Sequence, residues 1–261
     1  MKRKMTPKSL TVVSTEKISH SFQRITLTGD DLKKMPENCA GDYVKLMFTP
    51  QGDTDLSTLN ENERPAVRTY TIRSFDSESL LMELDFVLHG EDPASGIASH
   101  WAQNAKAGDT ISIGGPGHSQ TISYHLDDYL FVADMTSLPA LAVTLAQLDC
   151  EATGNVIVQV NDESDIQTLS VPTNMNIEWV VGDAKLPLLV TAAEKITQQA
   201  TGVWCACEFS QMRAIRRFVS DRWSCERENT YFSSYWKEGV TEDGHKALKR
   251  EDAEAFLSDR D

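Results

Sequence analysis

The stretch RPAVRTYTIRSF, Arg64 to Phe75, packs three arginines, a tyrosine and two threonines into what otherwise reads as a β-strand. Side chains alternate along a strand, so Arg68, Tyr70 and Ile72 point one way and Thr69, Thr71 and Arg73 the other. A core strand would carry Val or Leu at such positions. A cation and an aromatic ring on one face suit a ligand with both a phosphate group and a planar ring, Arg68 pairing with the one and Tyr70 stacking on the other. The plainer alternative is a solvated edge strand with surface arginines, a description that fits Arg64 and Arg73.

The texture extends through the first half of the chain. LTVVSTEKIS, FQRITLTG, DYVKLMF, SLLMELDFVL and DTISIGG are short runs rich in β-branched and aromatic residues, broken by Gly, Asp, Asn and Pro. With VRTYTIR they make six strands, interrupted by one helical segment, IASHWAQNAK, and one polar loop, PQGDTDLSTLNENERP. Such a set predicts a closed antiparallel β-barrel, because closure removes exposed edges. From about Tyr124 strands and helices alternate: DYLFVADM, GNVIVQV, IEWVVG and GVWCACEF read as strands, and LPALAVTLAQLD, PLLVTAAEKITQQ and SQMRAIRRFVSDRW as helices. That order implies an α/β parallel sheet covered on both faces. The expected organisation is therefore two-domain: a β-barrel over 1–122, an α/β domain over 123–235 and a C-terminal tail over 236–261.

Charge and composition narrow the function. A formal net charge of −14 argues against nucleic acid, whose phosphates are bound by Lys and Arg. No apolar run is long enough to cross a bilayer, and the basic start lacks the apolar stretch of a signal peptide, so a cytoplasmic protein is expected. Five irregularly spaced cysteines read as reduced thiols. No metal site is expected, since His89, Glu91, Asp92 and His100 have loop spacing rather than ligand spacing.

Open α/β sheets bind ligands outside the carboxyl ends of their strands. After YLFVA comes DMTSLPA, which places Asp134, Thr136 and Ser137 at a helix start, and after GVWCAC comes EFSQ, with Glu208 and Ser210 at a strand tip. Hydroxyls and free N–H groups there suit a pyrophosphate or simply cap the helix; the G-x-G-x-x-G fingerprint is absent. In the first half, SGIASHWA offers a second such place, where Gly96 permits close approach and Ala98 and Ser99 open a helix.

RTYTIR resembles the R-x-Y-[ST]-x-R flavin motif of the ferredoxin-reductase superfamily. VRTYTIRSFD, ELDFVLHG, GIASHWAQNAKAGDTISIGGPG, ADMTSLPALA, VWCACEFSQMRAIRRF and SSYWKEGVTED, in that order, resemble the siderophore-interacting proteins, flavin-dependent ferric-siderophore reductases. The resemblance implies a barrel that binds FAD and an α/β domain that binds NAD(P)H. It implies that Arg68 binds the FAD diphosphate, that Tyr70 packs on the isoalloxazine with Thr69 beside it, and that Thr71 lies near the reactive N5. Val87 and His89 would line the flavin, and Ile97, Ala98 and Ser99 would hold phosphate. Asp134, Thr136, Glu208 and Ser210 would face the nicotinamide cofactor, although Cys207 stands where the family's G-E-x-S motif commonly has Gly. No protein acid or base is required.

Two expectations concern the partners. A 2′-phosphate calls for Arg or Lys near the end of the second strand of a nucleotide fold. VQVNDESDIQTL offers Asp162, Glu163 and Asp165 instead, so NADH is expected over NADPH, with a reduced ferredoxin as an alternative donor. An anionic ferric siderophore would need local cations on so acidic a protein, and Lys45, His118 and Lys237 are the candidates, each of which also reads as an ordinary surface base. A monomer is expected. A general NAD(P)H:flavin oxidoreductase and a non-catalytic flavin or siderophore carrier are the rival readings.

Overall fold

Alternating apolar residues on six strands close the first half of the chain into a barrel. In the computed structural model, which describes residues 7–88, 96–183 and 186–258, these are β1 (Lys8–Ser19), β2 (Phe22–Thr28), β3 (Tyr43–Phe48), β4 (Ala66–Asp76), β5 (Leu81–Val87) and β6 (Thr110–Gly117). They run in the closed order β1-β2-β5-β4-β3-β6 with every pairing antiparallel. Ile25, Leu27, Leu46, Ile72, Leu84 and Ile113 fill the interior. A helix, α1 (Ile97–Asn104), packs on this core through Ala98 and Ala102.

The alternation read from β4 is seen directly. Ile72 is fully buried, and the Tyr70 ring packs toward the core against Phe86, with centroids 4.3 Å apart. A bulge between Ile72 and Ser74 interrupts the pairing with β5, and Arg73 there ion-pairs with Asp85 at 3.8 Å. Arg73 is thus a member of a charge network rather than a free surface cation. Asp85 lies opposite Arg24 in the β2–β5 register and accepts two hydrogen bonds from it, 2.6 and 2.8 Å, while only 4% of its side chain is exposed. Asp85→Ala removes both hydrogen bonds of the Arg24 guanidinium, leaving it the longer 3.7 Å pair with Glu83, and should cost about 3 kcal/mol of stability. A fall in the urea midpoint at unchanged m-value is the expected reading, and an unshifted midpoint would show that the pair contributes nothing.

The second half builds a five-stranded parallel sheet from β7 (Asp128–Asp134), β8 (Thr153–Val160), β9 (Asn174–Val181), β10 (Gly202–Glu208) and β11 (Thr230–Trp236), in the order β11-β10-β7-β8-β9. The central strands β7 and β10 are near-continuous apolar runs because both their faces are covered. The helices are α2 (Leu138–Leu145), α3 (Leu188–Ala193), α4 (Phe209–Arg222) and α5 (Glu242–Ser258). The chain proceeds from β7 outward to β9 and then resumes on the other side of β7 with β10. The carboxyl tips of β7 and β10 are therefore the topological switch point, the place where such sheets bind ligands.

The chain divides into two units. One runs to Gln120 and takes in Pro139–Ala146 and Ser164–Ser170; the other holds Thr121–Leu138, Gln147–Glu163 and Val171 onward. Within the C-terminal stretch read as a tail, Glu242–Ser258 forms helix α5. Its docking is polar, which hid it from a reading of apolar periodicity. Asp252 pairs with Arg213 and Arg216 of α4 at 3.0 and 2.8 Å, and His245 meets Ser234 of β11 at 2.8 Å.

Candidate functional site

In the barrel unit the residues singled out on β4 fall on two sides of the strand. Tyr70 belongs to a run of rings: Phe86 lies 5.6 Å from Trp101 of α1, and Trp101 lies 6.0 Å from Phe48. These rings join β4 to α1. The helix begins after Gly96, whose φ of 140° only glycine adopts without strain. Its first N–H groups, at Ile97, Ala98 and Ser99, are donors of the kind that hold phosphate. Ala98 and Ser99 are buried, and the Ser99 hydroxyl accepts from Gln103 Nε2 at 3.4 Å. Arg68 is half-buried, with Nη1 donating to the Val67 carbonyl at 2.9 Å. Val87 closes β5 at 8% exposure. His89, Glu91 and Asp92 lie outside the described residues.

On the outer side, Thr69 and Thr71 face strand β3, where Lys45 pairs with Thr69 and Tyr43 with Thr71. Val44 and Leu46, between and beyond them, are fully buried in the barrel. The Lys45 ammonium sits 5.8 Å from the Tyr43 ring centroid. That ring lies on Gly117, where a Cβ would fall 2.2 Å from it, so glycine is required at the end of β6. The exposed His118 follows at once, its Nδ1 2.9 Å from Asp42 Oδ1. Thus Lys45 is brought beside Thr69, Thr71 and the unforeseen Tyr43, and His118 lies next to the glycine on which that ring rests. Tyr43 left a signal in the sequence, since it shares the face of Lys45 by strand alternation.

In the α/β unit Asp134 and Glu208 occupy the tips of β7 and β10. Asp134 is 3% exposed, and both its oxygens are used. Oδ1 accepts from the Thr136 N–H at 2.9 Å and hydroxyl at 2.6 Å, and Oδ2 accepts from Trp236 Nε1 at 2.8 Å. Burial pushes its pKa up, while these bonds and one from the Glu208 N–H pull it down. The Asp134 carboxylate, expected to face the cofactor, thus accepts from protein donors through both oxygens. Glu208 Oε2 caps α4 by accepting from the N–H groups of Ser210 and Gln211, at 2.5 and 3.1 Å. Lys237 Nζ donates to Glu208 Oε1 at 3.0 Å and to Ser210 Oγ at 2.7 Å. Pro187, Val190, Ser210, Gln211, Trp236 and Lys237 line a hollow here.

Of the three carboxylates expected to meet a ribose, Asp162 and Glu163 are exposed at the end of β8. Asp165 is not: it is fully buried, and its Oδ1 accepts from the Ser19 hydroxyl and the Ser21 N–H, each at 2.7 Å. Cys205 and Cys207 share a face of β10, fully buried with sulfurs 3.9 Å apart, and burial raises the Cys207 thiol pKa. Among the described residues no group of three or more His, Cys, Asp or Glu side chains is placed to hold a metal.

Residues 11–120 match the siderophore-interacting FAD-binding domain, and residues 126–239 match the siderophore-interacting protein family. The ferric vibriobactin reductase of Vibrio cholerae is 28% identical over 253 residues, covering 92% of each chain. An NADPH-dependent ferric-chelate reductase of Escherichia coli is 29% identical, covering 88% of this chain and 92% of that one. The crystal structure of the siderophore-interacting protein SipS from Aeromonas hydrophila superposes with a TM-score of 0.85 at 29% identity, covering 96% of this chain and 99% of that one. Ferredoxin-NADP+ reductase from Plasmodium falciparum, at TM-score 0.62 and 13% identity over 88% of this chain and 97% of that one, shares the fold alone.

Proposed function

Because the chain belongs to the siderophore-interacting protein family, we propose that it is an FAD-dependent ferric-siderophore reductase. Electrons pass from NAD(P)H to the chelated Fe(III), and Fe(II) is released for iron assimilation. The observation that carries the reading is the ring-lined joint of β4 with α1, which sets an arginine and a helix N-terminus beside an outer strand face bearing two threonines. These residues fit FAD: Arg68 and the N–H groups of Ile97, Ala98 and Ser99 take the diphosphate, Tyr70 and Val87 flank the ring system, and Thr69 and Thr71 lie along its reactive edge. When bound, FAD supplies the exchange between two-electron donor and one-electron acceptor. The chain's own residues do the positioning. Thr136 and Ser210 present hydroxyls at the switch point, and Lys45 and His118, with Lys237, attract an anionic ferric complex. Hard oxygen donors hold Fe(III) far better than Fe(II), so reduction itself loosens the chelate.

Asp162 and Glu163 with no base in their segment favour a free ribose diol. NADH is therefore the donor of this reading, in a cytoplasmic monomer, and a reduced ferredoxin is the alternative. Among the described residues no helix is long and apolar enough to cross a membrane.

One experiment tests the whole. The purified protein should be yellow, should bleach on anaerobic addition of NADH, and should recover its colour on addition of a ferric siderophore. A colourless protein that takes up no FAD sinks the reading. Bleaching without recovery by any ferric siderophore marks a general flavin reductase, and bleaching only by reduced ferredoxin replaces the donor. The kcat/KM should be higher for NADH than for NADPH, and the reverse order would overturn the carboxylate argument.

A further inference from the structure

The tips of β7, β10 and β11 are tied together by one buried carboxylate. Asp134 lies on β7 and Trp236 on β11, with β10 between them, so the indole reaches across the tip of β10 to give its N–H to Asp134 Oδ2 at 2.8 Å. A register shift between Cys207 and Glu208 sets Glu208 opposite Trp236. Burying a carboxylate is costly, and an apolar contact would close these strand tips at less expense. What the carboxylate adds is direction, since it fixes the plane of a half-buried indole. That indole lines the hollow at the switch point, with Pro187 and Val190 as apolar lining and Ser210 and Gln211 as polar lining. Lys237 beside it is pinned to Glu208 and Ser210, and Glu208 and Glu238 also line the hollow, so the wall is aromatic and the lining carries no excess of positive charge. A hollow with an aromatic wall, apolar lining and amide-binding groups suits a flat, uncharged ring carrying a carboxamide.

We infer that Asp134 is a positioning residue that holds the Trp236 indole as the stacking wall for the nicotinamide ring of the electron donor. This rests on the NAD(P)H-dependent part of the proposed function and not on the ferric-siderophore part. It also gives Asp134 work that direct contact with the cofactor does not.

The test uses FAD-loaded protein with ferricyanide as acceptor, so that no siderophore is involved. Trp236→Ala should raise KM for NADH about tenfold, the loss of a ring stack together with its buried area. Asp134→Asn should raise it by a smaller factor, because an amide can serve the indole or the Thr136 N–H but not both. The double variant Asp134→Asn with Trp236→Phe should be no worse than Trp236→Phe alone, since without the indole N–H the remaining amide oxygen can serve Thr136. The comparison rate is reoxidation of dithionite-reduced protein by ferricyanide, which needs no nicotinamide. An equal loss in that rate, additive effects in the double variant, or an unchanged KM in Trp236→Ala overturns the inference. Should Asp134→Asn fail to fold, an unchanged KM in Trp236→Phe does so alone. A wild-type protein that turns over ferricyanide but no ferric siderophore removes the substrate assignment and leaves this one standing; one that oxidises neither NADH nor NADPH removes both.

Discussion

Replacing Arg68 with Ala is expected to yield a folded protein that purifies almost colourless and binds added FAD about 10- to 100-fold more weakly, the equivalent of roughly 1.5–3 kcal/mol for charge-assisted hydrogen bonds to phosphate. Arg68 pairs across β3 with Leu46 and is half-buried, and Nη1 is fixed on the Val67 carbonyl, which sets the plane of the guanidinium. A planar fork held in place recognises a diphosphate in a way that a point charge does not, so Arg68→Lys should recover only part of the affinity. The fold should survive, because the barrel interior at this level is built from Leu46, Phe48 and Ile72 rather than from the arginine. The measurement is a flavin titration followed by fluorescence, with thermal unfolding of the apo protein as the control for folding. A variant that keeps its flavin at wild-type affinity would remove Arg68 from the site and leave the start of α1 as the phosphate seat.

The barrel and the parallel sheet were legible because each rests on a local pattern. The six β-rich runs are the six barrel strands, and the apolar runs DYLFVAD and GVWCACE are the two central strands of the sheet. What resisted reading is what depends on partners far apart in the chain. Arg73 looks like a surface cation until the β2–β5 register delivers Asp85 to it. The bond of Asp134 with the Trp236 indole, 102 residues away in the chain, depends on the order β11-β10-β7. Asp165 reads as one of three acids awaiting a ribose, yet it belongs with the barrel unit, bound to Ser19 and Ser21. Helix α5 escaped for another reason. Its contacts with α4 and β11 run through Asp252, His245 and Lys249, and Lys249 donates to Ser233 Oγ and the Ser234 carbonyl, so no apolar stripe announced it.

Charge reversal at Lys45 separates a steering cation from an ordinary surface base. Lys237 is the poorer choice for this test, because a glutamate there would face Glu208 and disturb the α4 cap, confusing loss of substrate with loss of structure. Lys45 has no such commitment to the fold. It lies on the outer face of β3, paired with Thr69 and set against the Tyr43 ring, while the inward neighbours Val44 and Leu46 hold the strand. A unit charge 4 Å from an anionic ligand is worth roughly 4 kcal/mol near a protein surface, and about half that at twice the distance. Lys45→Glu removes one favourable charge and adds an unfavourable one to a protein already at −14. After allowance for solvent exposure, about 2 kcal/mol should be lost, or roughly a thirtyfold rise in KM for an anionic ferric siderophore. Because the effect is Coulombic, it should shrink sharply at about 1 M salt, where the screening length falls to ~3 Å. Lys45→Gln should lie midway at low salt and converge with Lys45→Glu at high salt. NADH oxidation with a neutral quinone, which presents no charge to steer, should respond to neither substitution. A KM for the ferric complex that stays within about twofold of wild type at low salt would mean that Lys45 does not face the substrate, and the weight of its recognition would then fall on His118 and Lys237.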